Sequence, residues 1–145
     1  MDHIAIMKKS WKLIDKILSG EKTIESRWYV HRRDPYNKIN SGDVVYFKDS
    51  GEPITAKAEV EKVLQFSNLN PGLVDSILKE HGKGIMVNYS PDLCKNYEGK
   101  NYCILVFLKN STRVEPFQID KTGYGNASAW LCVGDISKVK VRDKN

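Results

Sequence analysis

Apolar and polar positions alternate in short runs along most of the chain, and only two stretches show helical spacing. Ile4 and Ile6 alternate within 3–7, which predicts a first strand. Over 10–20, Trp11, Ile14, Ile17 and Leu18 form an apolar stripe at helical spacing, with Ser10 as N-cap and Gly20 as the C-terminal stop. That stripe assigns Trp11 to the core. The β-branched pair Thr23 and Ile24 makes 21–28 a strand. A polar stretch over 28–42, broken by Asp34-Pro35 and Ser41-Gly42, reads as a long exposed loop. Strands follow over 43–49 and 54–66, joined by a turn. In the second of these the apolar set Ile54, Ala56, Ala58 and Val60 loses phase at Lys62-Val63, where a bulge or bend is expected.

Asn70-Pro71 sets a cap before a proline at the first helical position and opens a helix running to about His81. The span 82–100 is irregular, with one helical turn around 92–97. The apolar run over 101–110 predicts a central strand. A further strand over 113–119 contains Pro116, which places it at an edge or bends it. After a loop, an apolar run at 131–133 and the alternation of Val139 and Val141 close the chain as short strands. About six or seven strands with two inserted helices do not suit a doubly wound parallel sheet. The expected architecture is α+β and mostly β: a small mixed barrel flanked by two main helices, formed by 1–145 as one domain.

Composition adds little until the charge is placed. The 145 residues are 41% hydrophobic and 28% charged, an ordinary globular mix that gives no case for disorder. A net charge of +5 favours an anionic partner only where it is concentrated. It is concentrated in 20–33, GEKTIESRWYVHRR, which holds four cationic side chains, a histidine and a Trp-Tyr pair. Cys94, Cys103 and Cys132 form no CxxC pair; Cys103 and Cys132 lie in apolar runs and read as buried free thiols of a reducing cytoplasm. His3, His31 and His81 stand apart from one another and from cysteine, so no metal or other cofactor is expected. The first residues lack the apolar core of a signal peptide, and the longest apolar run, 102–108, is too short to cross a bilayer. A cytoplasmic location away from the membrane is expected.

Within the charged segment, Gly20, Lys22, Glu25 and Arg27 match the pattern G-x-K-x-x-E-x-R between the first helix and the next strand. This pattern resembles the hallmark of ASCH domains, a branch of the PUA-like superfamily, and the resemblance extends over essentially the whole chain. It implies a β-barrel with helices on its sides and a cleft opening near the motif. It also implies RNA or nucleotide chemistry: binding in many relatives, amidohydrolysis of N4-acetylcytidine in some small ones, ribonuclease action in others. The amidohydrolase members use a lysine and a threonine within the motif and a glutamate further on. Lys22 matches the lysine. Glu25 stands at the threonine's position and Thr23 lies two residues too early, so the hydroxyl expected of that mechanism is missing.

Two readings of the motif stay open. Lys22 and Arg27 could supply positive charge to a phosphate or oxyanion with Glu25 orienting one of them, and a desolvated Lys22 could act as a base. In an enzyme, Lys22 and Glu25 would be the catalytic pair. The same residues also make a plain salt bridge, worth about 0–1 kcal/mol if exposed. Arg27, Arg32 and Arg33 could meet phosphates, while Trp28 or Tyr29, which point opposite ways in an extended chain, could stack on an unpaired base. A solvated loop explains the same charges. A second wall is expected at 123–130, where Gly123 and Gly125 permit close approach. There Asn126 and Ser128 offer hydrogen bonds, and Tyr124 and Trp130 are platforms; a packed corner explains the same residues. The leading expectation is single-stranded RNA or a nucleotide held between these walls. The alternative is a small hydrolase acting on a modified nucleoside or on RNA, and a third is an acidic protein partner.

Overall fold

Cys103, Ile104, Leu105 and Val106 are all fully buried, which requires that both faces of their strand be covered. The computed structural model describes residues 1–125 and 127–141, and shows how this is done. The strands are β1 (Asp2–Met7), β2 (Ile24–Tyr29), β3 (Val44–Asp49), β4 (Ile54–Phe66), β5 (Tyr102–Phe117) and β6 (Trp130–Gly134). The helices are α1 (Leu13–Leu18) and α2 (Pro71–Ile85). One sheet runs in the order β2-β5-β4-β3-β1-β6, with β1 and β3 parallel and the other neighbours antiparallel. This mixed half-barrel with flanking helices is the expected PUA-like α+β architecture, and β2 and β6 are its two open edges.

Ile104 and Val106 point into the barrel, against Ala5, Phe47 and Val60. Cys103 and Leu105 point outward into a second cluster with Ile24, Ile77 and Ile85, under α2. The phase slip expected in β4 is a bulge: pairing with β5 jumps between Val60 and Lys62. Asn70 caps α2 by accepting from the Leu73 N–H at 2.9 Å, with Pro71 at the first turn.

Several expectations change. The first helix begins at Leu13, not Ser10, because Lys12 takes a left-handed conformation (φ 54°) and separates it from a 3₁₀ turn over Lys9–Trp11. Ser10 therefore caps nothing, and Trp11, thrown off the helical stripe, is 62% exposed rather than core. The second helix continues past His81 to Ile85 through Gly82 and Gly84. Gly84 is there for close approach: a Cβ would lie 2.8 Å from Ile24 Cδ1 and 2.9 Å from Thr23 Oγ1. The helix also accepts the Thr23 N–H on the Gly84 carbonyl, at 3.0 Å, just ahead of β2. The strands expected at 101–110 and 113–119 are one long β5; its pairing with β2 ends at Phe107, so Pro116 falls where β5 is itself an edge. The expected final strand is a 3₁₀ turn over Ile136–Lys138 and a single bridge between Ile119 and Lys140. Cys103 is buried, but Cys132, on the edge strand β6, is only half-buried. No helix among the described residues is long and apolar enough to cross a membrane.

Candidate functional site

Strand alternation in β2 sends Glu25, Arg27 and Tyr29 to one face and Ile24, Ser26 and Trp28 to the other. On the first face, Arg27 reaches across the open seam of the half-barrel. Its Nη1 donates to the Ala129 carbonyl at 3.2 Å and its Nη2 to the Ile6 carbonyl at 3.4 Å. The Ala129 carbonyl also accepts the Ile6 N–H at 2.8 Å, so the guanidinium joins β2 to the place where β1 meets the start of β6. The Trp130 ring lies beneath, 5.2 Å from the guanidinium carbon.

Trp130 is held in turn. Its indole N–H donates to His3 Nδ1 at 3.1 Å, and His3 Nε2 lies 2.8 Å from Asp43 Oδ2. An indole nitrogen only donates, so Nδ1 is the acceptor and Nε2 carries the proton that goes to Asp43. Burial holds His3 below the usual imidazole range, against the opposing pull of Asp43. Burial alone would raise Asp43, but the bonds from His3, the Asn40 N–H and the N-terminal amine together hold its carboxyl below the usual range.

Lys22 precedes β2 and is only 3% exposed. Its ammonium donates to the Ile24 carbonyl at 2.8 Å and to the Ile85 carbonyl at 2.9 Å, so it sits at the negative C-terminal end of α2. Burial pushes its pKa down; Glu25 opposes this and Arg27 adds to it. Glu25, 5% exposed, lies between the two cations, with Oε1 3.9 Å from both Lys22 Nζ and Arg27 Nε. Its Oε2 is buried without a hydrogen-bond partner.

Two concave regions flank this seam. A hollow of about 330 Å³ is lined by Tyr29, Arg33, Tyr124, Ser128 and Trp130, and thus joins the early basic stretch to the late loop. Arg33 lies over the Tyr29 ring at 5.9 Å, and Asp34 completes that wall. The Ser128 hydroxyl donates to the Tyr124 carbonyl at 2.7 Å, which leaves its oxygen to accept. Gly123 and Gly125 both have positive φ, 93° and 82°, as the turn requires. Asn126 lies outside the described residues. Arg32 is exposed over the Tyr36 ring at 5.6 Å rather than in this wall. On the other side of Arg27, two adjoining hollows of about 420 and 530 Å³ share Trp11, Leu13, Glu25 and Ser26. Trp28 borders the larger one, with its ring on Tyr97 (centroids 4.3 Å apart) and its N–H donating to Ser26 Oγ at 3.1 Å. Both rings of the Trp-Tyr pair therefore face a hollow, though not the same one.

Sequence reasoning missed Trp11 as a wall, although a tryptophan set among Lys8, Lys9 and Lys12 is a signal of exposure. It also missed the Asp43–His3–Trp130 relay, whose members are 40 and 127 residues apart and carry no local pattern. Lys9 is engaged with Glu52 at 2.6 Å. No cluster of His, Cys, Asp and Glu that could hold a metal occurs among the described residues.

No family model matches the chain, and no curated protein matches it in sequence. Solved structures do match. A crystal structure of ASCH from Zymomonas mobilis superposes with a TM-score of 0.66 at 16% identity, over 91% of this chain and 87% of that one. A single-substitution variant of that protein superposes with a TM-score of 0.64 at the same identity, over 91% and 89%. The chain has the ASCH fold. Within that fold, the motif from Gly20 to Arg27 occupies the barrel seam and the approach to it.

Two outcomes are expected. Arg27→Ala opens the seam and costs about 2–3 kcal/mol in urea unfolding, and Arg27→Lys recovers little, since one ammonium does not span both carbonyls. The His3 contribution depends on pH with a defined sign. A depressed imidazole pKa means that the unfolded chain binds the extra proton, so stability is full above the unfolded value of 6.5 and falls as pH drops below it. Unfolding midpoints should decline from there toward about pH 5, by at most about 1.4 kcal/mol per unit from this group, and the decline should be shallower in His3→Gln.

Proposed function

We propose that this ASCH-fold protein is a cytoplasmic binder of single-stranded RNA or a nucleotide, held beside the Arg27 seam between β2 and the 123–130 loop. The observation that carries this reading is the shared hollow in which Tyr29 and Arg33 from the early stretch meet Tyr124, Ser128 and Trp130 from the late one. Its volume, about 330 Å³, suits a ligand the size of a base. Tyrosine rings offer stacking surface, Arg33 offers a phosphate contact, and the Ser128 oxygen can accept from a base edge. Arg27 serves this site by holding its walls together, because its guanidinium is engaged by the Ala129 and Ile6 carbonyls. Arg32, exposed over Tyr36, adds to the positive field in this reading, and Trp28 serves the hollow on the other side of Arg27.

The binding is expected to weaken steeply with salt. Arg33→Ala should lower the salt slope by about one, and Tyr124→Ala should cost about 1–3 kcal/mol, measured by fluorescence anisotropy with a labelled oligonucleotide. If no oligonucleotide binds in a salt-sensitive way, this reading is wrong.

One observation favours a second reading, hydrolysis of a modified nucleoside or of RNA: Lys22 is recessed, its pKa is depressed by burial, and Glu25 stands 3.9 Å away. Against it, two of the three Lys22 N–H groups are taken by backbone carbonyls. Incubation with N4-acetylcytidine and with labelled RNA should give no product; turnover abolished by Glu25→Gln in a folded protein would establish the hydrolase instead.

A further inference from the structure

Within the seam, Glu25 carries a buried side-chain oxygen without a hydrogen-bond partner. A buried carboxylate accepts hydrogen bonds and cannot donate them, and an oxygen left without a donor costs free energy that a folded chain rarely tolerates without reason. Oε1 has two cations nearby, both at 3.9 Å, beyond hydrogen-bond reach, and Oε2 has no partner. Lys22 and Arg27 each direct two donors to backbone carbonyls, and toward Glu25 they come no nearer than the two 3.9 Å ion-pair distances. Glu25 also borders both hollows on the Trp11 side of the seam. The terminal torsion of a glutamate is broad, so either oxygen turns toward these hollows without moving the strand.

The walls around this carboxylate are aromatic. Trp11 is 62% exposed at the common rim, with Lys8 Nζ 5.0 Å from its ring centroid, and Trp28 lies on the larger hollow. An exposed tryptophan beside a lysine offers a stacking face next to a phosphate contact.

Resting on the nucleic-acid reading above, we infer that these joined hollows form a second base subsite across Arg27 from the first, and that Glu25 makes it specific for guanine. The argument is one of donor pattern. A carboxylate presents two adjacent acceptors, and single-stranded bases are read on their Watson–Crick edges. Guanine alone among the common bases offers two adjacent donors there, N1–H and the N2 amino group. Adenine and cytosine place a ring acceptor beside their amino group, and uracil flanks its single N–H with carbonyls. Each of these would set an acceptor against one carboxylate oxygen.

Binding is measured for a U6 RNA hexamer and for the same hexamer with one uridine replaced by G, inosine, A or C. One G should tighten binding about tenfold over U6, inosine, which lacks the N2 amino group, should keep part of that gain, and A and C should give none. Glu25→Gln, which swaps one acceptor for a donor, should erase the advantage of the G hexamer over U6. Trp11→Ala, at an exposed position that does not threaten folding, should weaken the G hexamer more than U6. A G hexamer no tighter than U6, a gain that survives Glu25→Gln, or equal loss on both hexamers in Trp11→Ala overturns the guanine subsite and leaves RNA binding standing. Salt-insensitive behaviour with no binding to any hexamer overturns both.

Discussion

The Arg27 guanidinium closes by side chain what the sheet leaves open by backbone. A six-stranded sheet in the order β2-β5-β4-β3-β1-β6 curls far enough to bring its edges near each other, but β2 and β6 do not form a ladder. Arg27 spans the seam with bonds to the Ala129 and Ile6 carbonyls and rests on Trp130. Trp130 is fixed by His3, and His3 by Asp43. A single planar cation with a rigid fork of donors suits this task, because it meets two carbonyls at once and lies flat on an indole. The hollows lie on the two sides of this side-chain closure.

The approach to the seam is fixed by a second cation. Lys22 is buried, and a buried ammonium is costly unless compensated. The compensation is the C-terminal end of α2, where unpaired carbonyls carry partial negative charge, together with the Ile24 carbonyl at the start of β2. Helix and strand are thus held together by Lys22, by the Thr23–Gly84 backbone bond and by the close contact that only glycine allows at position 84. The motif spacing follows: Lys22 ends the helix, Arg27 closes the barrel, and Glu25 is carried between them on the inward face.

Much of this was legible in the chain, and the parts that were not have physical reasons. The alternation of Ile54, Ala56, Ala58 and Val60 gave the inward face of β4, and its slip marked the bulge. The uniform apolar run of β5 marked a strand covered on both faces. Trp11 was misplaced because helical periodicity says nothing about a left-handed residue inside the pattern, and Lys12 breaks the stripe with a conformation that lysine rarely adopts. Val139 and Val141 alternate as a strand would, yet two residues are too few to tell a ladder from a turn. The motif was visible at once, with its charges open to a ligand role or a plain salt bridge. In the fold Lys22 and Arg27 are each engaged by two backbone carbonyls, and a sequence shows donors but not the carbonyls they meet.

This reverses the electrostatic sense of the segment. Read along the chain, Lys22, Glu25 and Arg27 make a cationic strand with one acidic interruption. In the fold, both cations donate to carbonyl oxygens, Glu25 Oε1 lies 3.9 Å from each, and Glu25 Oε2 is left without a hydrogen-bond partner. On the proposed reading the seam presents an acceptor to a base on the Trp11 side, and positive charge for phosphates would come from exposed Arg33 on one side and Lys8 on the other. A polyanion fits such a surface only if its backbone runs along the rim and its bases turn inward. Exposed single cations weigh little individually and act through their summed field. Selectivity at the floor then has to come from hydrogen-bond pattern rather than from charge, and in a recessed site the cost of a mismatched acceptor pair is not relieved by water.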